Sequence, residues 1–528
     1  MGIPMRKQHI NEEKYEKEAG RNLVTLGAPI ILALLLFTIS IIHQINLETA
    51  LPSEGWSRSV SLNAFAADSE MFIAEGKENH VVYIPGENGL EKLTISPDLT
   101  VNKEKTDIKT ESDFWAGGDT IVYINDDGNV VKKSGEEETV LVKNADGLAA
   151  NENSAVIWNE AGIFQASSPE WSFQKAGEAK GPIKWVIPDS TSLAFTAVIE
   201  EGQSLEAHYF PVQGASSLIT TLQTGAMERV TAMDILYEED KMHVVYTISS
   251  SKQGSRSSRL YYGEGTPGES LDRQDISNLY ITYENSSERI MNPEYPSISL
   301  DGGKPTILFS TRATISPKEE ALSIIKAVPE NNGWSGKRVS TTDKLSVKAE
   351  MADDQTIIWF DNELDGTYTM MAASSKPEVV EATKKVTGAD LAAGFYNAIW
   401  SLATGLIIIF NIFIWVIPAA VFFVVMSIFD IRKIEMKTPW VLYTMIGLYA
   451  AAQFFLFAIA FKGGFYTLAP DYLTFGGSRY ILPVLINLAA FGIWRAGRDW
   501  DWPILKDNFY FISINTIIMF FLIGPYLL

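Results

Sequence analysis

The 528-residue chain contains no cysteine. Disulfides and thiolate metal sites are therefore excluded. A large exported domain can do without them, because its core is big enough to hold without covalent staples. Histidine is scarce too: the five, His9, His43, His80, His208 and His243, show no ligand spacing, so no zinc site is expected. No phosphate-binding loop follows a strand, and no dinucleotide fingerprint occurs. Asn125-Asp126-Asp127-Gly128-Asn129 lacks the alternating oxygen ligands and distal Glu of a calcium loop and reads as a hairpin turn. These patterns assign no catalytic residue, no metal ligand and no cofactor.

Positive charge is short in the middle of the chain. Residues 46–394 hold 30 of the 43 basic residues but 54 of the 64 acidic ones, a net of about −24. Such a surface repels phosphates, which argues against a nucleic-acid partner. It also keeps a soluble domain off anionic lipid. With carboxylates this abundant, no pair can be singled out for glycoside hydrolysis.

The two ends hold long apolar runs. Residues 23–42 form an apolar run long enough to cross a hydrocarbon core of ~30 Å, preceded by Arg6, Lys7, Lys14, Lys17 and Arg21. The run exceeds a usual cleaved signal of ~7–15 apolar residues, so a retained signal anchor is expected. Further spans are expected at 399–429, 440–461, 480–494 and 509–528. Arg432, Lys433 and Lys437 fall in one connecting loop, and Arg495, Arg498 and Lys506 in another. Positive loops face the cytoplasm, so the N-terminus should be cytoplasmic and residues 46–394 outside a plasma membrane, in a multi-pass arrangement. Trp440, Trp494, Trp500 and Trp502 cluster at the expected inner interface. No Asp, Glu, Lys or Arg falls near the middle of a span. The polar residues at that depth are Asn411, Gln453, Asn487 and Asn515, and helix-to-helix hydrogen bonds explain them better than a transport path.

What the middle does have is a repeat. Seven short apolar runs, 81–84, 121–124, 155–158, 193–198, 243–248, 306–311 and 356–361, start 40, 34, 38, 50, 63 and 50 residues apart. Polar turns flank them, among them Gly117-Gly118-Asp119, Asp301-Gly302-Gly303 and Glu363-Leu364-Asp365-Gly366. Turns of this kind between apolar segments signal hairpins. A mean spacing in the forties matches a four-stranded propeller blade. Over residues 69–386 the chain thus resembles β-propeller domains at the level of fold. It has no Trp-Asp signature. Asn331-Asn332-Gly333-Trp334-Ser335 is similar to the Asp-box turn of sialidase-type propellers but departs from it, because Gly and Trp are adjacent and it occurs once; no sialidase residues carry over. Two stacked sheets remain the alternative. A closed ring requires contact between segments near Met71 and near Val379.

The expected architecture is a membrane protein with an all-β extracytoplasmic domain, a seven-bladed β-propeller, plus five transmembrane helices. The segments are a tail (1–22), anchor (23–45), linker (46–68), propeller (69–386), linker (387–398) and four-helix domain (399–528). Tyr261, Tyr262, Tyr280 and Tyr283, beside long polar loops, are the candidate ligand-binding residues, with strand packing as their bland alternative. The functional reading is a bacterial, membrane-anchored, non-enzymatic binding or sensing protein of the cell envelope. Its partners would be the lipid bilayer and an envelope ligand or membrane protein. The alternatives are a subunit of a transport or export assembly, since four C-terminal spans exceed what anchoring needs, and an extracytoplasmic glycan hydrolase.

Overall fold

A computed structural model describes residues 5–527 apart from 75, 77–78, 111–112, 203, 239, 253, 273, 317–318, 331–332, 461–464 and 467–468. The Asn331-Asn332 half of the sialidase-like turn therefore lies outside the described residues. So do much of the connection 462–479 and the side chains of Arg6, Lys7, Lys14, Lys17 and Arg21. The chain divides into two compact units, one formed by residues 51–385 and the other by 1–50 with 386–528.

In the first unit, side-chain turns set the strand register. Asn125 Oδ1 accepts from the backbone N–H groups of Asp127 (3.2 Å) and Asn129 (3.0 Å). Gly128 supplies the positive φ of 72° that closes the turn. The flanking strands then pair Ile121 with Lys133 and Tyr123 with Val131. The same device recurs at Asn151, Asp189 and Asp365. Each of the seven apolar runs overlaps a strand with antiparallel neighbours on both sides. Such a strand is covered on both faces by adjacent sheets, which is why its pattern is continuous rather than alternating.

The sheets form a β-propeller. Five four-stranded antiparallel sheets follow one another along residues 72–105, 115–142, 147–177, 183–222 and 228–278. The expectation of seven separate blades is corrected: the remaining strands join in one nine-stranded sheet. The reason is a parallel bridge between Leu322 and Leu345, which places the runs 306–311 and 356–361 in a single sheet. Hydrophobic clusters lie between successive sheets. Phe72, Trp115, Val122 and Trp171 fill one of them, and Val198, Ile219, Ile235 and Tyr246 another. Leu62, Val82, Leu93, Phe360 and Val379 join the last sheet to the first, with Met71 against them. The circle of sheets is thereby closed.

The closing strand comes from an unexpected place. Val60–Ala66, within the stretch 46–68 read as a linker, pairs antiparallel with Tyr368–Ser374. Trp56 is buried beside Trp359. Ser57 and Ser374 exchange hydrogen bonds of 3.0 Å, and the Arg58 N–H donates to the Thr383 hydroxyl at 3.2 Å. The two chain ends of this unit are thus held together. Short polar residues around a single Trp made this segment read as a tether.

In the second unit, five helices are long and apolar enough to cross a membrane, among the described residues. They are α1 (Met5–Glu48), α2 (Gly388–Phe429), α3 (Pro439–Ala460), α4 (Ser478–Gly497) and α5 (Ile504–Leu522). The stretch 387–398, read as a linker, lies almost wholly in α2. Its start is fixed by a capping box in which Thr387 and Asp390 satisfy each other's backbone N–H groups. Glu48 accepts from Asn397 at 2.7 Å, and α1 approaches α2 so closely at Gly394 that a Cβ there would meet Ile45.

Candidate functional site

A groove of 580 Å³ lies on the nine-stranded sheet. It is built by an unusual strand. Ile281–Tyr283 runs parallel to Gly333–Arg338, pairing Tyr283 with Gly336. The chain then turns back through a bridge from Arg289 to Thr282. This hairpin sets Tyr283, Glu288 and Arg289 along one wall. Arg312 comes from the neighbouring strand Lys304–Ser316, where its neighbours Thr311 and Ala313 are buried, so alternation sends the arginine outward. Arg338 ends its strand half-buried, with Nη1 donating to the Thr314 carbonyl at 3.2 Å and its own carbonyl accepting from Ser53 at 2.7 Å.

The charges in this groove are unevenly satisfied. Lys337 pairs with Glu284 at 2.8 Å. Arg289 lies over the Tyr280 ring, 3.7 Å from its centroid. Among the described residues, no carboxylate forms an ion pair with Arg289, Arg312 or Arg338. Burial pushes the Arg338 guanidinium below its usual range, and Tyr283 partly counters the shift. Burial raises the Tyr283 phenol, Glu288 adds to this, and Arg338 opposes it.

The four tyrosines therefore separate. Tyr280 is exposed and Tyr283 lines the groove. Tyr261 is stacked on Tyr246 with centroids 5.1 Å apart. Tyr262 donates to or accepts from His243 Nδ1 at 2.7 Å and meets Trp334 edge-on at 5.1 Å. The latter pair are packing residues within the sheet. Spacing along the chain brought all four near long loops, but of them only Tyr283 lines the groove.

A second constellation escaped the sequence reading. The first strands of successive sheets lie against one another, so residues on them converge on the axis of the propeller. A bulge between Val347 and Glu350 gives Lys348 a left-handed backbone, φ 49°, and aims it at Glu70, with which it forms an ion pair. Glu350 accepts from Ser297 at 2.8 Å. Asp234 accepts from the N–H groups of Ile235 and Ile298, both at 2.8 Å. Asp113 keeps an exposed side chain, yet local loss of solvation, reinforced by Glu70 and Asp68 and opposed by Lys348, raises it to about 7. Burial and the nearby Asp234 push Glu350 up to about 7, against the Ser297 bond and Lys348. These acids come from sheets far apart in the chain. The sequence holds 64 acidic residues and no mark that separates these from solvent-facing ones. Among the described residues, no group of three or more His, Asp or Glu is arranged to hold a metal ion.

In the helical unit, three of the four polar residues singled out in the sequence meet. Asn515 Oδ1 accepts from Tyr449 (2.9 Å) and from Gln453 (3.0 Å). Gln453 Oε1 accepts from Asn487 at 2.5 Å, and Asn515 donates to Asn487 at 3.2 Å. The network ties α3, α4 and α5 together. Asn411 lies on α2 and also has a partner. Of the four tryptophans, Trp500 stacks with Arg498 at 4.0 Å, Trp502 with Lys506 at 4.4 Å and Trp440 with Lys433 at 5.5 Å. Trp494 is instead buried, donating to Asp507 at 2.6 Å, while Asp507 pairs with Arg498 at 2.9 Å.

No protein-family model matches the chain, and no curated protein matches it. Solved structures of propeller proteins align with it. The WD40 domain of Toxoplasma gondii coronin does so at 10% identity over 63% of this chain and 89% of that one, TM-score 0.35. A Trypanosoma rangeli sialidase aligns at 12% identity over 63% of this chain and 60% of that one, TM-score 0.34. BamB from Moraxella catarrhalis aligns at 11% identity over 57% and 83%, TM-score 0.28. Likenesses this distant carry no argument about activity; by its own sheets, the chain is a β-propeller protein that carries five helices of membrane-spanning length.

Proposed function

We propose that this protein is a membrane-anchored binding or sensing protein whose propeller recognises a ligand or protein of the cell envelope outside the plasma membrane. The observation that carries the reading is the open 580 Å³ groove with its unpaired arginines and Tyr283. Its size suits a ligand of modest dimensions, and cations left without counter-charges on a strongly acidic domain call for a ligand rather than a structural role. The axial carboxylates offer less to a hydrolase reading, because Glu350, Asp234 and Glu70 are engaged by the protein's own groups.

The apolar outer faces of the helices support insertion in a bilayer. Phe410, Ile428, Phe429 and Phe455 are each more than two-thirds exposed, which water would not tolerate on one unit. The basic loops around Arg432 and Arg498 support a cytoplasmic face there, with residues 51–385 outside. A second reading, a subunit of a transport or export assembly, is favoured by helices α2 to α5, which exceed what an anchor requires.

The lack of cysteine makes the topology directly testable. In intact cells, Ser286→Cys should react with a membrane-impermeant maleimide and Met436→Cys only after permeabilisation; the reverse pattern rejects the orientation. For binding, the full chain extracted gently from membranes should retain a small molecule or peptide visible by native mass spectrometry, and that species should be lost from the Arg312→Gln protein. Retention of a stoichiometric membrane protein, unaffected by Arg312→Gln, would favour the assembly reading.

A further inference from the structure

The geometry points to an oxyanion subsite in the groove, in which Arg312, Arg338 and Arg289 take the single carboxylate or phosphate group of a short ligand. This rests on the reading of the propeller as a binding module and names what the module recognises.

Three features support it. First, the guanidinium groups are unneutralised. Two other arginines of the same domain are ion-paired, Arg256 with Glu294 at 3.3 Å and Arg259 with Glu228 at 2.5 Å. Arg289, Arg312 and Arg338 have no such partner among the described residues, although residues 46–394 carry 54 acids. Second, the three line one groove and are held differently. Arg338 is half-buried and fixed by its bond to the Thr314 carbonyl. Arg289 has one face covered by Tyr280, leaving its edge N–H groups free, the geometry in which arginine binds oxyanions through parallel hydrogen bonds. Arg312 is exposed and free to close on a ligand. Third, burial already lowers the Arg338 pKa, so an arriving anion relieves a desolvated charge rather than creating a new buried one.

The surroundings limit the ligand. Glu54, Glu288 and Glu320 also line the groove. The whole domain has a net charge of about −24 over residues 46–394. Long-range repulsion and these rim carboxylates disfavour a polyanion. A short ligand with one anionic group, and neutral or basic elsewhere, meets attraction at the arginines without repulsion at the rim.

The test uses the full chain in non-ionic detergent and arginine modification by phenylglyoxal, mapped by mass spectrometry. N-acetyl-aspartate amide serves as the carboxylate probe and inorganic phosphate as the phosphate probe, against sodium chloride at equal ionic strength. One or both probes should slow modification of Arg312 and Arg338 at least threefold while leaving Arg256 and Arg259 unchanged. The arm that protects at lower concentration identifies the group. Arg312→Gln, an exposed change that leaves the fold intact, should remove most of the protection of Arg338. The proposal is overturned if neither probe protects, if chloride protects equally, or if only poly-glutamate or polyphosphate does. If a native ligand co-purifies and is kept by Arg312→Gln, the subsite fails while the binding reading stands. Protection by the probes with no retained ligand supports the subsite and weakens the broader reading.

Discussion

In the sheet unit, Phe309, Trp359 and Phe360 are shut away and lysines and glutamates face outward. In the helical unit, Phe410, Ile428 and Phe429 face outward, and Gln453 and Asn515 are shut away. The two units also satisfy their backbones differently. The helices of the second close most of their backbone hydrogen bonds within themselves, as a bilayer requires. The sheets of the first depend on neighbours, and the last of them depends on a strand, Val60–Ala66, that arrives some 300 residues earlier in the chain. One polypeptide therefore carries two inverted solutions to burial, each fitted to its own solvent. The sheet unit tolerates acids near its axis because Ser297, the Ile298 N–H and Lys348 engage them. In the helical unit, Tyr449, Gln453, Asn487 and Asn515 satisfy one another.

If the contrast is right, damage to one unit should leave the other standing. The largest effect is expected from Trp359→Ala, which empties a fully buried site between the last strands. It should destabilise the propeller by about 3–5 kcal/mol. Circular dichroism in detergent should then show the β-sheet transition shifted to lower temperature and the helical signal unchanged. Simultaneous loss of both signals would mean that the units fold as one.

The next largest comes from the helical side. Asn515→Leu leaves Tyr449 and Gln453 without their acceptor, and buried interhelical hydrogen bonds of this kind are worth about 1–2 kcal/mol. Denaturation in mixed micelles should register that loss in the helical transition alone.

Acidity separates the units in a third way. Asp113 and Glu350 have folded-state values raised to about 7, above the ordinary carboxylate range. The folded form therefore keeps protons that the unfolded chain has released. From about pH 4 to about pH 7 these two groups make the propeller less stable as pH rises, Glu350 more than Asp113, whose exposed side chain is screened by solvent. The melting temperature of the sheet unit should be higher at pH 5 than at pH 8, and Asp113→Asn should flatten that slope. A slope of opposite sign would show that other titrating groups outweigh the axial pair.

The smallest structural effect is expected from Arg312→Gln. An exposed, unpaired side chain contributes within about 0.5 kcal/mol to stability. Its melting curve should match that of the parent while its protection by anions is lost.

The legible parts of this protein were those written in local pattern. Both-face apolar runs bounded by Asn, Asp and Gly turns gave each central strand, because a hairpin is closed by residues only a few positions apart. The five long apolar helices were legible for a similar reason: each satisfies its own backbone, so length and composition suffice. Asn515, Gln453 and Asn487 were visible as polar interruptions of otherwise apolar helices. Val60–Ala66 was not legible as a strand, because its partner lies at Tyr368–Ser374 and nothing local announces the pairing. The count of separate sheets failed on one parallel bridge at Leu322 and Leu345.

The candidate site divides in the same manner. Tyr280 and Tyr283 stood beside a long loop in the sequence, but so did Tyr261 and Tyr262, which the fold assigns to packing. Arg289, Arg312 and Arg338 carry no motif and lie on separate strands. What the chain determined alone was its division into an acidic, turn-rich β region and apolar helices, since both follow from patterns repeated over a few residues. Which acids became buried, which arginines were left without a counter-charge, and which strand sealed the ring were decided only by tertiary structure, because each depends on groups brought together from sheets far apart along the backbone.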